Sequence, residues 1–270
     1  MRTDEAPALS DAEVEAVLTD GSLELAGRLV SASNASFWGQ VTLDGISVPC
    51  IYKPVQGERP LWDFPTGTLA GRELAARLVS EMGGWGLVPP TVLRDGRYGL
   101  GMCQRWIDID TEHAYVDVVS AAFEQAGWIA VLEAEDHLSR PVLLVHRDTE
   151  RLRDMAVFDA VINNADRKGG HVLVTADHML WGCDHGVSFH EDNKLRTVLW
   201  GWADEPLRHS DLAQLERLSI ALDGALGEAL EPLLSEIEIE TLGERVELLR
   251  AEDRMPIPDG SWPAIPWPAF

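Results

Sequence analysis

Apolar and polar residues alternate in several short runs between Leu23 and Pro54, and a period of two is typical of β-strands. Turn-forming residues separate the runs, among them Asp44-Gly45, a pair that favours a tight hairpin. Residues 89–96 and 97–108 continue the strand-like pattern, with Asp95-Gly96 as the predicted turn between them. We therefore predict a small antiparallel sheet in the first part of the chain.

Helical periodicity marks the other elements. Ser10 and Glu13 form a capping box that predicts a short first helix. Leucines and a methionine at helical spacing predict a helix over 67–83, ending in two glycines, and mostly apolar residues predict another over 150–164. Helices are also expected from about 210 to 250, whereas the tail MPIPDGSWPAIPWPAF, residues 255–270, is too rich in proline to form either a helix or an inner strand.

The charge of the chain limits its partners. Its 270 residues include 22 basic and 45 acidic ones, which gives a formal charge of −23. A surface this negative repels nucleic-acid phosphates and anionic lipids, so we expect neither nucleic-acid binding nor stable membrane association. The sequence shows no secretory signal and no membrane-spanning apolar run, which predicts a cytoplasmic protein. Cys50, Cys103 and Cys183 lack metal-finger spacing and are interpreted as buried thiols.

The chemically informative stretch is residues 158–190. A polar loop with Asp166 and His171 follows a predicted helix, and a predicted hairpin then leads to a second acid, Asp184, close to Gly186. Phosphoryl transfer requires such groups, namely an aspartate near the attacking hydroxyl and ligands that hold a divalent metal against the phosphates. The order of these residues therefore indicates a catalytic loop followed by a metal-binding loop.

Two motifs in this stretch, NADRKGGHVL and CDHGVSF, resemble the catalytic and metal-binding loops of the phosphatidylinositol 3-/4-kinase superfamily, which includes type II phosphatidylinositol 4-kinases and HipA-like serine kinases. A bacterial branch of that superfamily is the closest description. The resemblance implies an α+β, bilobal, protein-kinase-like fold. Its β-rich N-terminal lobe would span residues 1–108, its mainly helical C-terminal lobe 109–250, and a Pro/Trp-rich tail 251–270.

The resemblance also implies roles for individual residues. Asp166 would be the catalytic acid or base and would open the catalytic loop together with Arg167. His171 would be the first metal ligand and Asp184 the main one. The segment VPCIYKP resembles the superfamily's strand that ends in Lys-Pro, so Lys53 would reach the ATP phosphates. GLVPPTVL, at residues 86–93, resembles the segment that follows the next helix in that superfamily.

Further nucleotide contacts are implied by position. Glu73 would pair with the phosphate-binding lysine, and the backbone of Gln104 would bind the adenine base. Ser33, Asn34 and Ser36 would cradle phosphate oxygens through hydroxyl and amide groups, although a plain turn is an equally good interpretation of these three.

One residue departs from the superfamily pattern, because His171 stands where asparagine is usual. Imidazole suits Mn²⁺ and other transition metals better than Mg²⁺, which prefers oxygen ligands. We therefore expect a Mn²⁺ preference or an altered second metal site. Four histidines between 171 and 190 also raise the possibility of a zinc site, but they lack the compact spacing of a catalytic zinc motif.

Each candidate also has a structural interpretation. Lys53 could be a surface lysine, and Glu73 could lie on a solvated helix face. Asp166 could form a buried salt bridge with Arg167, and Asp184 could belong to a hairpin turn.

The function implied is a kinase that uses ATP with Mg²⁺ or Mn²⁺. It would phosphorylate a hydroxyl group of a protein serine or threonine, or of an inositol-like or sugar-like small molecule, with a lipid acceptor least favoured by the charge. The alternatives are a nucleotide-binding regulatory pseudokinase and a nucleotidyltransferase on the same fold.

Overall fold

The computed structural model describes residues 9–29, 34–65, 67–260 and 262–270. The chain divides into two compact units, one of Met1–Ala70 with Pro89–Trp106 and the other of Gly71–Val88 with Ile107–Phe270. Gly71–Val88, which the sequence assigned to the N-terminal lobe, is thus grouped with the second unit. The described residues form mixed α+β structure, as predicted.

One helix and a five-stranded sheet make up the first unit. Their bounds are α1 (Asp11–Asp20), β1 (Ser22–Leu29), β2 (Ser36–Leu43), β3 (Ile46–Pro54), β4 (Thr91–Gly96) and β5 (Gly99–Arg105). The strands lie in the order β1-β2-β3-β5-β4, and every neighbouring pair is antiparallel. The antiparallel sheet predicted from the alternating pattern is therefore confirmed.

The first helix begins at the predicted capping box. The Glu13 amide donates to the Ser10 hydroxyl at 3.3 Å, and the Ser10 amide donates to the Glu13 carboxylate at 2.8 Å. The helix buries Val14, Val17 and Leu18 in a small apolar core shared with residues of the sheet. Burial of this apolar stripe holds α1 in the first unit.

One predicted turn is displaced. Asp95 and Gly96 belong to β4, and the hairpin turns instead at Arg97-Tyr98, with Gly96 paired to Gly99. Gly99 takes a φ of 87°, which glycine adopts without strain. A Cβ atom on Gly96 would lie 2.7 Å from Cζ of Tyr52, so this glycine is required for packing rather than for turning the chain.

The second unit contains helices, a hairpin and a separate sheet. Its elements are α2 (Leu69–Met82, which begins in the first unit), β6 (Val116–Ser120), β7 (Trp128–Glu135), β8 (Pro141–Arg147), α3 (Glu150–Ile162), β9 (Val172–Val174), β10 (Leu180–Gly182), α4 (His209–Leu222), α5 (Ala225–Leu230) and α6 (Glu236–Glu252). The predicted helices over 67–83, 150–164 and 210–250 are confirmed, the last as three separate helices.

The expectation of a mainly helical second half missed one sheet. Strands β6, β8 and β7 form a three-stranded antiparallel sheet in that order. Much of its surface remains exposed, most of all in β7, where a register shift lies between Ala130 and Leu132. A strand that is neither regularly paired nor clearly one-sided gives little periodic signal in the sequence.

Helix α3 lies in the core of the second unit. Nine of its residues are buried, so it is apolar around most of its circumference. It ends at Asn163, which takes a left-handed conformation with a φ of 53° and turns the chain out of the helix. The polar loop that follows therefore starts from a fixed, buried point.

The described residues of the tail have no helix or strand from Met255 onward, as the proline content predicted, but the tail begins later than residue 251 because α6 continues to Glu252. It is nevertheless attached, since the Ala264 carbonyl accepts hydrogen bonds from the Thr197 amide at 3.0 Å and from Trp200 Nε1 at 2.8 Å. Each helix in the described part of the chain is either too short or too polar to traverse a lipid bilayer.

Candidate functional site

A short hairpin brings the two predicted metal ligands together. Strand β9 starts directly after His171, and β10 ends just before Cys183, with Val172 opposite Gly182. The open end of this antiparallel pair therefore carries His171 and Asp184, which are 13 positions apart in sequence. Their side chains meet, with 3.4 Å between Nε2 of His171 and Oδ2 of Asp184.

This pair fits a divalent metal. Two ligands each about 2.1 Å from one ion are separated by roughly 3.0–3.4 Å, which matches the observed spacing. Burial lowers the pKa of His171 below its ordinary value, and the nearby Asp184 carboxylate opposes this shift. The imidazole is therefore neutral near pH 7 and has a lone pair available for a metal.

The number of ligands distinguishes between kinds of metal site. Within the described ranges, no group of three or more His, Cys, Asp or Glu side chains is placed to hold an ion. A zinc site normally has three or four protein ligands, so the histidine cluster does not form one there. Mg²⁺ or Mn²⁺ bound with a nucleotide needs only one or two side chains, because phosphates and water complete the shell.

The backbone amide of Asp166 is held by the side chain of Asn164, and the carboxylate of Asp166 stays accessible. Its amide donates to Oδ1 of the buried Asn164 at 3.0 Å, and Nδ2 of Asn164 donates to Asp159 at 2.9 Å. The carboxylate of Asp166 is 31% exposed and lies 3.2 Å from Nζ of Lys168. The alternative of a buried salt bridge between Asp166 and Arg167 is not what the structure shows.

Arg167 pairs instead with Asp159 of α3, and both side chains are fully buried. Nε of Arg167 is 2.9 Å from Oδ2 of Asp159, and Nη2 is 2.8 Å from Oδ1, which gives a two-point contact. Burial alone favours a neutral guanidine, but the charge and hydrogen bonds of Asp159 outweigh it and raise the pKa of Arg167 above its ordinary value.

The other donors of Arg167 join the two loops of the site. Nη1 donates to the carbonyls of His171 at 3.2 Å and Cys183 at 3.1 Å, and Nη2 also lies 2.7 Å from Nε2 of His185. All five N–H groups of the guanidinium are therefore used within the protein. Arg167 was predicted as catalytic, but its geometry is that of a residue that holds the loops in register.

Gly182 makes room for this guanidinium. A Cβ atom at position 182 would lie 3.2 Å from Nη1 and Nη2 of Arg167 and from Nε2 of His185. Such contacts are tighter than ordinary packing allows, so a side chain here would press on the Arg167 contacts.

Glu73 lies beside the metal-binding loop. It is 3% exposed, which excludes the solvated-face interpretation, and its Oε2 accepts a hydrogen bond from the His185 amide at 2.9 Å. Its neighbour Arg72 is also buried, donates to the Ser188 carbonyl at 2.6 Å and pairs with Glu238. Helix α2 thus holds the segment that follows Asp184 through the contacts of Arg72 and Glu73. An ion pair between Glu73 and Lys53 stays a prediction.

Lys53 and Gln104 lie in the sheet of the first unit. Lys53 is half-buried in β3, on the opposite face from Cys50 and Tyr52. Gln104 lies within β5, flanked by Thr91 of β4 and by a β3 residue, and its Nε2 donates to Thr91 Oγ1 at 2.8 Å. An inner strand leaves no backbone edge open to a base, so adenine binding by the backbone of Gln104 is not supported.

The predicted phosphate loop is described only in part, because Ser33 lies outside the described residues. Ser36 is buried, and its hydroxyl donates to the Asn34 carbonyl at 3.4 Å. Oδ1 of Asn34 accepts from the Arg59 amide at 2.9 Å. The polar groups of Asn34 and Ser36 thus form hydrogen bonds within the protein. This arrangement favours a plain turn, the alternative to a phosphate-binding loop for this segment.

Sequence reasoning missed three of the residues that support the site, Asp159, Asn164 and His185. One of them left a signal, because Asp159 is the single charged residue within an otherwise apolar run from Met155 to Ile162. A charge in such a position needs a buried partner. The identity of that partner, eight positions further on, could not be read from the pattern.

No family model matches the chain. The structure is similar to a crystal structure of CtkA, a proinflammatory kinase of Helicobacter pylori, with a TM-score of 0.43 and 12% identity over 88% of this chain and 94% of that chain. The protein Rv2133c of Mycobacterium tuberculosis is 50% identical over 264 residues, which cover 94% of this chain and 95% of that protein. With half of the aligned residues identical along nearly the whole of both chains, this protein belongs to the same family as Rv2133c.

Proposed function

We propose that the protein is an ATP- and metal-dependent phosphotransferase of the phosphatidylinositol 3-/4-kinase-related type, which transfers the γ-phosphate to a hydroxyl group. The observation that carries the proposal is the meeting of His171 and Asp184, with 3.4 Å between Nε2 and Oδ2, together with the accessible carboxylate of Asp166 in the loop that leads to His171. A two-ligand metal site next to an accessible carboxylate is the arrangement that phosphoryl transfer requires.

His171 and Asp184 would hold the divalent metal. A Mg²⁺ or Mn²⁺ ion would neutralise charge on the β- and γ-phosphates and take its remaining ligands from phosphate oxygens and water. The protein contributes the placement of the two side chains, which the guanidinium of Arg167 secures through the carbonyls of His171 and Cys183.

Asp166 would orient the acceptor hydroxyl and accept its proton. Its carboxylate is partly exposed, so a hydroxyl can approach it, and the backbone contact to Asn164 fixes its position. The ammonium group of Lys168, 3.2 Å from this carboxylate, would offer positive charge to the negative phosphoryl group during transfer. We also propose that Lys53 binds the phosphates of ATP.

The acceptor is expected to be a protein serine or threonine, or a small polyol. A lipid in an anionic bilayer is the least favoured acceptor, because a formal charge of −23 repels that surface.

Labelled ATP tests the proposal. Purified protein is incubated with ATP labelled in the γ-phosphate or, separately, in the α-phosphate, with Mg²⁺ or Mn²⁺, and label is measured on the chain and as released phosphate. We expect γ-label to be transferred or released and α-label to stay in the nucleotide, because the predicted site acts at the terminal phosphate. Asp184→Ala, which removes one of the two metal ligands, should abolish the signal.

Other outcomes identify the rival functions. Transfer of α-label to an acceptor would indicate a nucleotidyltransferase. ATP binding, measured by thermal shift, without movement of either label would indicate a regulatory nucleotide-binding module. Absence of binding and of transfer would contradict the proposal altogether.

His171 is predicted to set the choice of metal. The wild type should turn over ATP faster with Mn²⁺ than with Mg²⁺, because imidazole binds Mn²⁺ more readily. His171→Asn replaces the ring nitrogen by an amide oxygen, so we expect the ratio of the two rates to shift toward Mg²⁺. The measurement is phosphate release against the concentration of each metal.

A matched control comes from the same hairpin. His178 is exposed at the turn between β9 and β10, and its left-handed φ of 63° is one that asparagine accepts. His178→Asn should leave the ratio of rates unchanged. Equal or faster turnover with Mg²⁺ in the wild type, together with no effect of His171→Asn, would contradict the prediction.

A further inference from the structure

The tail ends against the loop that carries a candidate metal ligand. We call residues Ala264–Phe270 the strap. The Gly169 amide donates a hydrogen bond to the Ala269 carbonyl at 2.8 Å. Gly169 begins the short 3-10 helix Gly169–His171, so the strap binds the first amide of the turn that ends in the candidate metal ligand.

The strap is anchored before it reaches this loop. The Ala264 carbonyl accepts hydrogen bonds from the Thr197 amide and from Trp200 Nε1, and Pro266 is buried. Ile265 and Ala269 pack against the apolar core of the second unit. Hydrogen bonds and core contacts of this kind belong to a fixed part of the fold rather than to a segment that lies loosely on the surface.

The last residue of the strap covers one particular glycine. A Cβ atom built on Gly169 would lie 2.2 Å from Cε1 of Phe270 and 2.7 Å from both Cδ1 and Cζ, so the aromatic ring rests against the α-carbon. The adjacent Gly170 has open space, with nothing within 4 Å of a Cβ at that position. The strap therefore contacts the turn at one defined point.

We propose that the strap is a positioning element of the candidate site, which holds the Gly169–His171 turn and thereby the imidazole of His171. Two consecutive glycines give this loop many accessible backbone conformations, and the hydrogen bond and ring contact to the strap restrict them. A metal ligand must be held within about 0.5 Å of its working position to contribute fully. The inference rests on the proposed function, since it assigns the strap a role in metal binding.

A mutant cycle tests the proposal on the full chain. The variants are Phe270→Ala, Gly169→Ala and the double variant, with Gly243→Ala on α6, where a Cβ atom also has open space, as the control. Mn²⁺ affinity is measured calorimetrically with a non-hydrolysable ATP analogue. Hydrogen exchange of the Gly169 amide is measured without metal or nucleotide.

We expect Phe270→Ala to weaken Mn²⁺ binding by about tenfold, as loss of an outer support of a metal ligand does. Gly169→Ala should have a similar effect, because the new methyl group displaces the ring. The double variant should be no worse than either single one, since both remove the same contact. Exchange at Gly169 should accelerate in all three, whereas Gly243→Ala should resemble the wild type both in exchange at Gly169 and in Mn²⁺ binding.

The proposal would be overturned by unchanged Mn²⁺ affinity in Phe270→Ala or by fully additive losses in the double variant. Faster release of phosphate from ATP by Phe270→Ala would also overturn it, because the strap would then block the site. A wild-type protein that binds neither Mn²⁺ nor the ATP analogue would instead contradict the proposed function and, with it, the role given to the strap. Unchanged exchange at Gly169 would show that the strap does not restrict the loop.

Discussion

Replacing Asp166 by asparagine is expected to reduce ATP-dependent transfer by about 10²–10⁴-fold, the usual contribution of a positioned general base. Asparagine has nearly the same shape and leaves the amide contact to Asn164 intact, so the loop should keep its conformation. It cannot accept the proton of the acceptor hydroxyl, and it loses the charge that pairs with Lys168. Affinity for ATP with Mn²⁺ should change little, because the metal ligands are other residues.

A control for this variant is Asp177→Asn on the exposed turn between β9 and β10. The Asp177 carboxylate accepts a hydrogen bond from the Thr175 hydroxyl and belongs to the hairpin turn rather than to the candidate site. It should leave the rate of transfer near the wild-type value. A transfer rate in Asp166→Asn equal to that of the wild type would show that Asp166 has only a structural role.

Replacing Arg167 by methionine is expected to lower the free energy of unfolding by about 3–5 kcal/mol, which is typical when one partner of a buried ion pair is removed. The carboxylate of Asp159 would remain fully buried without its cation. Arg167→Lys keeps the charge but not the planar five-donor group, so its loss of stability should be intermediate. Urea-induced unfolding gives these values.

An exposed ion pair supplies the comparison. Arg140 and Asp136 approach to 2.6 Å, but the Arg140 side chain is 66% exposed. Solvent screens this pair, so Arg140→Met should leave the urea midpoint almost unchanged. A urea midpoint in Arg167→Met close to that of the wild type would mean that other contacts hold the two loops together.

Local patterns in the sequence predicted individual elements because each depends on neighbouring residues. The capping box of Ser10 and Glu13 and the Asp44-Gly45 turn both involve contacts within a few positions. The displaced turn after β4 shows the limit of such reasoning. Gly96 lacks a side chain at the point where the ring of Tyr52 packs against β4, and no local pattern in the sequence reveals this contact between strands.

The residue spacing in the candidate site also had a geometric consequence that could be anticipated from the sequence. Two short strands joined by a turn must bring their outer ends together, and His171 and Asp184 stand at those ends. The sheet of β6, β7 and β8 was missed for the opposite reason. Strand β7 is irregularly paired and largely exposed, and β8 buries Leu144, Val145 and His146 in succession, so neither strand alternates with a period of two.

By itself, the sequence determined the strands and helices flanking the site, the order of its candidate residues and the strongly negative charge. Only the tertiary structure decided which groups meet. Arg167 forms an ion pair with Asp159, the Glu73 carboxylate accepts a hydrogen bond from the His185 amide, and the Gly169 amide donates to the strap. The physical reason is that secondary structure follows from hydrogen bonds and packing between near neighbours in the chain. Buried charges must instead find partners wherever the folded core places them, and those partners can be far away in sequence.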